Sequence, residues 1–150
     1  MRVVIQRVLE ASVKVEEKIV AEINNGLVVL VGVENEDTEN DAVWLANKIA
    51  QLRIFPGEAG NIDKNIQDSN GNIIVISQFT LFASTKKGNR PSFTKSAKPE
   101  IAKPLYEFFT HTLKEKLNKK IQTGIFGADM KVTLTNDGPV TICMDSKNKE

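Results

Sequence analysis

Apolar residues in the first part of the chain follow the patterns of β-strands. The pattern is strand-like from Arg2 to Val15, with the clearest alternation at Val13-Lys14-Val15-Glu16. The segment 26–33 is a short run rich in β-branched residues, which is typical of a central strand buried on both faces. A β-sheet therefore begins the predicted fold.

Two later segments have helical spacing instead. Thr38 precedes Asp41 in a weak capping-box pattern, and the apolar residues that follow predict a helix over residues 38–52. A second amphipathic helix is predicted over residues 99–118, from apolar positions at Ile101, Leu105, Phe108, Phe109, Leu113 and Leu117. Pro104 lies inside this segment and predicts either a kink or a later start of the helix.

The remaining pattern completes one domain. The turn signal Asn70-Gly71 leads into a buried strand at residues 73–76, which ends in the segment 77–82. Residues 83–98 are polar and predict a long loop, and two more strand-like runs follow at 130–134 and 140–144. The predicted fold class is α/β: a single domain over residues 1–150 with a mostly antiparallel, barrel-like sheet and two main helices.

Composition excludes several classes of function. A net charge of +1 gives no global field that would attract nucleic acid, so any such contact needs a local patch. The single cysteine, Cys143, excludes an intrachain disulfide and is predicted to be a small buried residue. The only histidine, His111, is predicted to have a surface or helix-packing role rather than to bind metal. We find no signal peptide and no apolar run of membrane-spanning length, so cytoplasmic residence is the expectation.

Two polar segments interrupt strand-like runs and each allows two interpretations. Asn136-Asp137-Gly138-Pro139 is either a plain turn or an element that contacts a ligand through its main-chain carbonyls, because Pro139 has no N–H and Gly138 has no side chain. Ser77, Gln78 and Thr80 either cap a strand or line a pocket at its end. In the second case Thr80 is a nucleophile or donor, although the sequence supplies no obvious base to activate it.

The predicted loop carries a cluster of positive charge without any acidic residue. Its basic residues are Lys86, Lys87, Arg90, Lys95 and Lys98, and Phe93 adds an aromatic ring beside them. One interpretation is a solvated flexible loop. The other is an arm that contacts the phosphates of an RNA terminus, with the aromatic ring available to stack on a base.

Four motifs and their order resemble the D-aminoacyl-tRNA deacylase family. They are Ser77-Gln78-Phe79-Thr80-Leu81, Gly88-Asn89-Arg90-Pro91-Ser92-Phe93, Thr123-Gly124-Ile125-Phe126-Gly127-Ala128-Asp129-Met130 and Asn136-Asp137-Gly138-Pro139-Val140-Thr141. The opening Val4-Ile5-Gln6-Arg7-Val8 is also similar to the first strand of that family. The resemblance runs from residue 1 to 144 and leaves a polar tail, residues 145–150, unmatched.

The resemblance implies a hydrolase that cleaves the ester between a D-amino acid and the terminal adenosine of tRNA, and that also removes glycine mischarged on alanine tRNA. It implies a homodimer with the active site at the subunit interface, without metal or organic cofactor. A cis Gly138-Pro139 peptide would reach into the partner's pocket and reject L-aminoacyl esters. The opposite wall would be Ser77, Gln78, Phe79 and Thr80. Phe126, Gly127, Ala128 and Met130 would shape the adenosine pocket, and Lys86, Lys87 and Arg90 would contact tRNA.

The catalytic step has two candidate mechanisms. Thr80 is the nucleophile or a hydrogen-bonding partner in one of them. In the other, the 2′-hydroxyl of the terminal ribose assists, and backbone N–H groups near Phe79 and Thr80 form an oxyanion hole, which the lack of a convincing base favours. Two other functions compete with the hydrolase: a non-catalytic RNA-binding module and a purely structural dimerisation domain.

Overall fold

Eight strands and two α-helices follow one another along residues 1–150, all of which the computed structural model describes. The strands are β1 (Arg2–Val15), β2 (Lys18–Ile23), β3 (Gly26–Gly32), β4 (Phe55–Pro56), β5 (Ile62–Lys64), β6 (Asn72–Ser77), β7 (Gln122–Thr123) and β8 (Lys131–Asp145). The helices are α1 (Glu39–Gln51) and α2 (Pro99–Leu117), and a short 3₁₀ helix covers Phe79–Phe82.

The main sheet is built around β1, which pairs in antiparallel fashion with β2, β3 and β8. Two parallel pairs, β3 with β6 and β6 with β7, extend it. The side chain of Gln122 in β7 exchanges two hydrogen bonds with the backbone of Glu22 in β2. The sheet therefore curves until its ends nearly meet, which confirms the predicted α/β domain with a mostly antiparallel, barrel-like sheet.

Two apolar clusters fill the two sides of this sheet. The larger cluster has 24 buried residues and lies between the sheet and both helices. The smaller cluster has 8 buried residues and fills the concave side, where β1, β2, β3 and β6 face one another. The run at residues 26–33 contributes to both clusters, which confirms a central strand buried on both faces.

The two predicted helices are confirmed, with one correction. At the start of α1, the backbone N–H of Thr38 donates to the Asp41 carboxylate at 2.9 Å, as the capping-box pattern predicts. The alternative of a later start for α2 is wrong, because the helix begins at Pro99 and continues through Pro104. Proline suits the first helical position, since the N–H that it lacks would have no partner there.

The segment after β6 does not continue as a strand. Pairing with β3 ends at Ser77, and the chain turns at Gln78 into the 3₁₀ helix. The N–H of Leu81 donates to the Gln78 carbonyl at 3.2 Å, and the N–H of Ala83 donates to the Thr80 carbonyl at 3.0 Å. The predicted strand at residues 73–76 is confirmed, and within the segment 77–82 the ladder ends at Ser77 because 3₁₀ hydrogen bonds replace it.

The two strand-like runs near the C-terminus form one strand, β8, and the turn interpretation of the segment between them is wrong. Gln6 pairs with Thr141 and Val8 pairs with Asn136, so two steps along β1 correspond to five steps along β8. Three extra residues of β8 therefore bulge out of the ladder at this point. The Gly138–Pro139 peptide bond within the bulge is cis, as the family resemblance implies.

Cys143 is exposed, so the prediction of a buried cysteine is wrong. Its neighbours Ile142 and Met144 pack against the larger apolar cluster. Because successive side chains of a strand point to opposite faces, Cys143 points away from that cluster. His111 lies on the surface of α2, 3.3 Å from Glu115, which confirms its predicted surface role.

The predicted polar tail begins with residues that pack against the N-terminus. The N–H of Ser146 donates to the Met1 carbonyl at 2.9 Å, and Lys147 Nζ donates to the Asp41 carboxylate at 3.1 Å. The Met1 ammonium forms a buried ion pair with Asp37. Both ends of the chain are therefore held beside the start of α1. None of the helices is long and apolar enough to span a membrane.

Candidate active site

A cavity of about 620 Å³ lies where β6 ends, between the 3₁₀ helix, the start of α2 and the segment before β8. Its wall brings together three of the four predicted strand-end residues and all four predicted adenosine-pocket residues. These are Ser77, Gln78 and Phe79, with Phe126, Gly127, Ala128 and Met130. Sequence segments about 50 residues apart therefore meet at one site because the parallel strands β3, β6 and β7 lie side by side.

Thr80 does not line the cavity but is tied to a residue that does. The Gln78 side-chain amide donates to the Thr80 hydroxyl oxygen, which leaves the hydroxyl hydrogen free to donate elsewhere. Phe79 and Thr80 are the first two residues of the 3₁₀ helix, and the first N–H to bond along that helix belongs to Leu81. The N–H groups of Phe79 and Thr80 therefore have no partner within the helix.

Two aromatic pairs flank the cavity. The rings of Phe79 and Phe93 meet edge to face with centroids 5.1 Å apart, and both are well exposed for large apolar side chains, at 56% and 37%. On the inner side, the Tyr106 and Phe126 rings lie 5.7 Å apart. The outer pair is thus open to a ligand, and the inner pair fixes the wall of the cavity.

Tyr106 is held rigidly beneath this wall. Its hydroxyl donates to the Val75 carbonyl at 2.9 Å, and only 5% of the residue is exposed. Burial raises the pKa of Tyr106 far above its ordinary value, although a hydrogen bond with Thr110 acts in the opposite direction. The hydroxyl therefore remains protonated and serves as a donor.

Gly138 and Pro139 are exposed and lie outside the cavity of their own chain. The segment is supported from below by Arg7, a buried residue of β1 that sequence analysis missed as a supporting residue. Arg7 Nη1 donates to the Ile54 carbonyl at 2.6 Å, and Arg7 Nε forms an ion pair with Asp137 at 3.0 Å without a well-aligned hydrogen bond. In the sequence, the one signal of this supporting role was that Arg7 is a charged residue within the apolar pattern of β1.

The predicted tRNA-binding residues Lys86, Lys87 and Arg90 also lie outside the cavity. They are exposed on the loop between Ser84 and Ser92, which pair through two backbone hydrogen bonds of 2.8 and 2.9 Å. Lys98, from the same basic stretch, does line the cavity. The structure therefore gathers three of the strand-end residues and all the adenosine-pocket residues, and it leaves Lys86, Lys87, Arg90 and Gly138-Pro139 outside the cavity.

The chemistry available in the cavity is that of hydroxyl groups, the Gln78 amide, backbone donors and the ammonium group of Lys98. Its one carboxylate, Asp129, pairs with Lys131 at 2.8 Å. No three or more His, Cys, Asp or Glu side chains come together in a way that could hold a metal ion. The two carboxyl groups with lowered pKa values, Asp41 and Asp145, do not line this cavity. Such a site can bind and orient a polar substrate and donate hydrogen bonds to a developing negative charge.

Comparison with known proteins identifies the family. The family model described as D-Tyr-tRNA(Tyr) deacylase matches residues 4–145. The D-aminoacyl-tRNA deacylases of Flavobacterium johnsoniae and Bacteroides thetaiotaomicron are 61% and 59% identical to the chain over 150 residues. Each match covers 100% of this chain and 100% of the relative.

Two solved structures share the fold of the chain. The c-Myc DNA Unwinding Element Binding Protein superposes with a TM-score of 0.90 at 38% identity, over 97% of this chain and 98% of that one. A probable eukaryotic D-amino acid tRNA deacylase shares the fold, with a TM-score of 0.82 at 15% identity over 95% and 97%. Sequence and fold thus lead to one conclusion: the chain belongs to the D-Tyr-tRNA(Tyr) deacylase family.

Proposed function

We propose that the protein hydrolyses the ester bond between a D-amino acid and the terminal adenosine of tRNA, releasing the free amino acid and tRNA. Family membership and the names of relatives that are about 60% identical support this activity. The observation that carries the proposal is the cavity itself, because it joins Ser77, Gln78 and Phe79 to the segment 126–130. The substrate is an aminoacyl-tRNA, and the reaction is carboxylic ester hydrolysis.

The proposed active site is completed by a second copy of the chain. Gly138 and Pro139 are exposed and lie outside their own cavity, and the adjacent Asp137 forms an ion pair with the buried side chain of Arg7. An exposed bulge that is held in place by a buried side chain is suited to insertion into a partner. In the proposed homodimer, each copy therefore supplies Gly138 and Pro139 to the cavity of the other.

The proposed chirality filter acts through the backbone of this segment. The carbonyl groups of Gly138 and Pro139 accept hydrogen bonds from the α-ammonium of the substrate and leave no room for an L side chain. Steric overlap with these carbonyl groups discriminates strongly against an ester whose side chain would occupy the same space. Glycine has no side chain to exclude, so glycine mischarged on alanine tRNA is also a proposed substrate.

The proposed RNA contacts divide between the cavity and the basic loop. Phe126, Gly127, Ala128 and Met130 bind the terminal adenosine. Gly127 has φ +77° and no heavy atom within 4 Å of the place where a side chain would begin, so its backbone is accessible from the cavity. Lys86, Lys87 and Arg90 bind phosphates, and the salt dependence of binding would measure how many of these contacts form.

For the chemical step, we propose that the 2′-hydroxyl of the terminal ribose assists and that N–H groups of Phe79 and Thr80 stabilise the oxyanion. The absence of helix partners for these two N–H groups supports the assignment. Thr80, with its hydroxyl oxygen occupied by Gln78, is the competing nucleophile. No side chain of the cavity provides Thr80 with an obvious base.

Deacylation of D-tyrosyl-tRNA and L-tyrosyl-tRNA tests the function. The proposal expects the protein to release D-tyrosine and to leave the L ester intact. A protein that binds the tRNA end without ester loss would instead be an RNA-binding module, and one that ignores charged tRNA would be a structural dimerisation domain. Either result would refute the enzymatic proposal.

A further inference from the structure

Two contacts join the basic loop, residues 83–98, to Phe79 at the start of the proposed catalytic turn, which is the 3₁₀ helix Phe79–Phe82. The Ser96 hydroxyl donates to the Phe79 carbonyl at 2.7 Å. The Phe93 ring packs edge to face against the Phe79 ring. Phe79 is thus held from the same loop through both its backbone and its side chain.

The loop is itself anchored where it makes these contacts. The N–H of Ala97 donates to the Val33 carbonyl at 2.9 Å, and Ser96 forms a β-bridge with Glu34. Ser96 is half-buried and lines the cavity. Its hydroxyl is therefore a fixed donor, positioned by the segment that follows β3.

The contact with the Phe79 carbonyl has a consequence for Thr80. The carbonyl of Phe79 and the N–H of Thr80 belong to one planar peptide group, so a bond that fixes the first also fixes the direction of the second. A hydrogen bond accepted by the carbonyl also polarises the group and strengthens the N–H as a donor. Both effects act on an N–H that has no partner within the 3₁₀ helix.

We propose that Ser96 is a positioning residue for the hydrolysis. Its hydroxyl orients and polarises the Phe79–Thr80 peptide group, and it links the basic loop to the proposed catalytic turn. The inference rests on the proposed function. It adds a role for the loop beyond phosphate contact, because the geometry of the turn depends on the loop being docked.

Substitution at Ser96 gives the test. Ser96→Ala should lower the single-turnover rate with D-tyrosyl-tRNA at saturating enzyme by about threefold to tenfold, the range expected for one net hydrogen bond. The enzyme concentration for half-maximal rate should not change, because no phosphate contact is lost. Ser96→Thr, which keeps the hydroxyl, should restore the rate.

Ser69→Ala is the matched control. The Ser69 hydroxyl also donates to a backbone carbonyl, that of Ile66 at 3.1 Å, but in a turn that does not contribute to the cavity. A Ser96→Ala rate equal to that of the control would overturn the inference. So would an effect confined to the half-saturating concentration, or a threonine variant as slow as the alanine variant.

A second readout separates this inference from the proposed function. In ¹H–¹⁵N spectra of the protein without tRNA, Ser96→Ala should shift the Thr80 amide resonance, whereas Ser69→Ala should not. An inactive wild-type protein would refute the proposed function, and the Thr80 resonance would still report whether Ser96 sets this peptide group. An unshifted resonance would overturn the inference whether or not the enzyme is active.

Discussion

Gly138→Ala is the substitution whose effect follows most directly from the structure. Gly138 has φ +117°, a conformation that side chains of L-residues rarely adopt. An added Cβ would lie 2.9 Å from Arg7 Nη2 and 2.9 Å from Val140 Cγ2. Arg7 is unable to move aside easily, because it is buried and bonded to the Ile54 carbonyl at 2.6 Å.

The expected magnitude combines two effects. An unfavourable backbone conformation costs about 1–3 kcal/mol, and overpacking against a fixed neighbour costs a similar amount. We therefore expect Gly138→Ala to lower the free energy of unfolding by about 2–6 kcal/mol, measured by urea denaturation. Displacement of the segment should also slow hydrolysis of D-tyrosyl-tRNA by about a hundredfold, the scale expected for a 1 Å misplacement in an active site.

Gly88→Ala separates the two effects. Gly88 also has a positive φ, +143°, but no heavy atom lies within 4 Å of the position that its Cβ would occupy. It therefore carries the backbone effect without the contact. If Gly138→Ala is no more destabilising than Gly88→Ala, the argument that Arg7 and Val140 confine Gly138 is refuted.

Three further predictions concern single side chains. Burial raises the pKa of Asp41, but hydrogen bonds with Ser146 and other neighbours outweigh this effect and hold the pKa well below its usual range. The resulting stabilisation of the folded state is present above the unfolded-state pKa of about 4 and is lost at lower pH. Asp41→Asn should therefore reduce the fall in the urea midpoint as the pH is lowered below about 4. Tyr106→Phe removes one of two donors to the Val75 carbonyl, which keeps its hydrogen bond from the Gly124 N–H at 3.1 Å. The substitution should therefore cost about 0.5–1.5 kcal/mol in thermal or urea unfolding, and no loss would contradict the buried bond. Thr80→Ala should retain substantial turnover, and a near-complete loss of turnover with intact binding would refute assistance by the 2′-hydroxyl. Replacing the 2′-hydroxyl of the terminal ribose with hydrogen tests whether turnover depends on that group instead.

Much of the fold follows from local sequence pattern. Alternation and apolar runs predict β1 and β3, and spacing with a capping box predicts α1. The pattern fails for β8, because Asp137-Gly138 has the local chemistry of a hairpin turn. Pairing along almost the whole of β1, a contact between the two ends of the chain, keeps β8 in one strand and forces the extra residues out as a bulge. Local propensity was overruled by a non-local ladder.

The candidate site also divides into features that follow from local sequence and features that depend on distant contacts. The motif at residues 77–80 indicated polar groups at a strand end, and the structure brings two of them, Ser77 and Gln78, to a cavity wall. The contributions of Arg7 and Ser96 were not predictable, because each depends on contact with a carbonyl far away along the chain, Ile54 and Phe79 respectively. Such partners become apparent only when the segments that carry them are packed together.

The proposed backbone filter rejects L-aminoacyl esters and does not act on glycyl esters. Its most direct test is the hydrolysis of one alanine tRNA charged with D-alanine, glycine or L-alanine, since these esters differ only in the presence and position of a methyl group. The D-alanyl and glycyl esters should be hydrolysed, and the L-alanyl ester should survive. Hydrolysis of the L-alanyl ester at the rate of the D-alanyl ester would refute the filter.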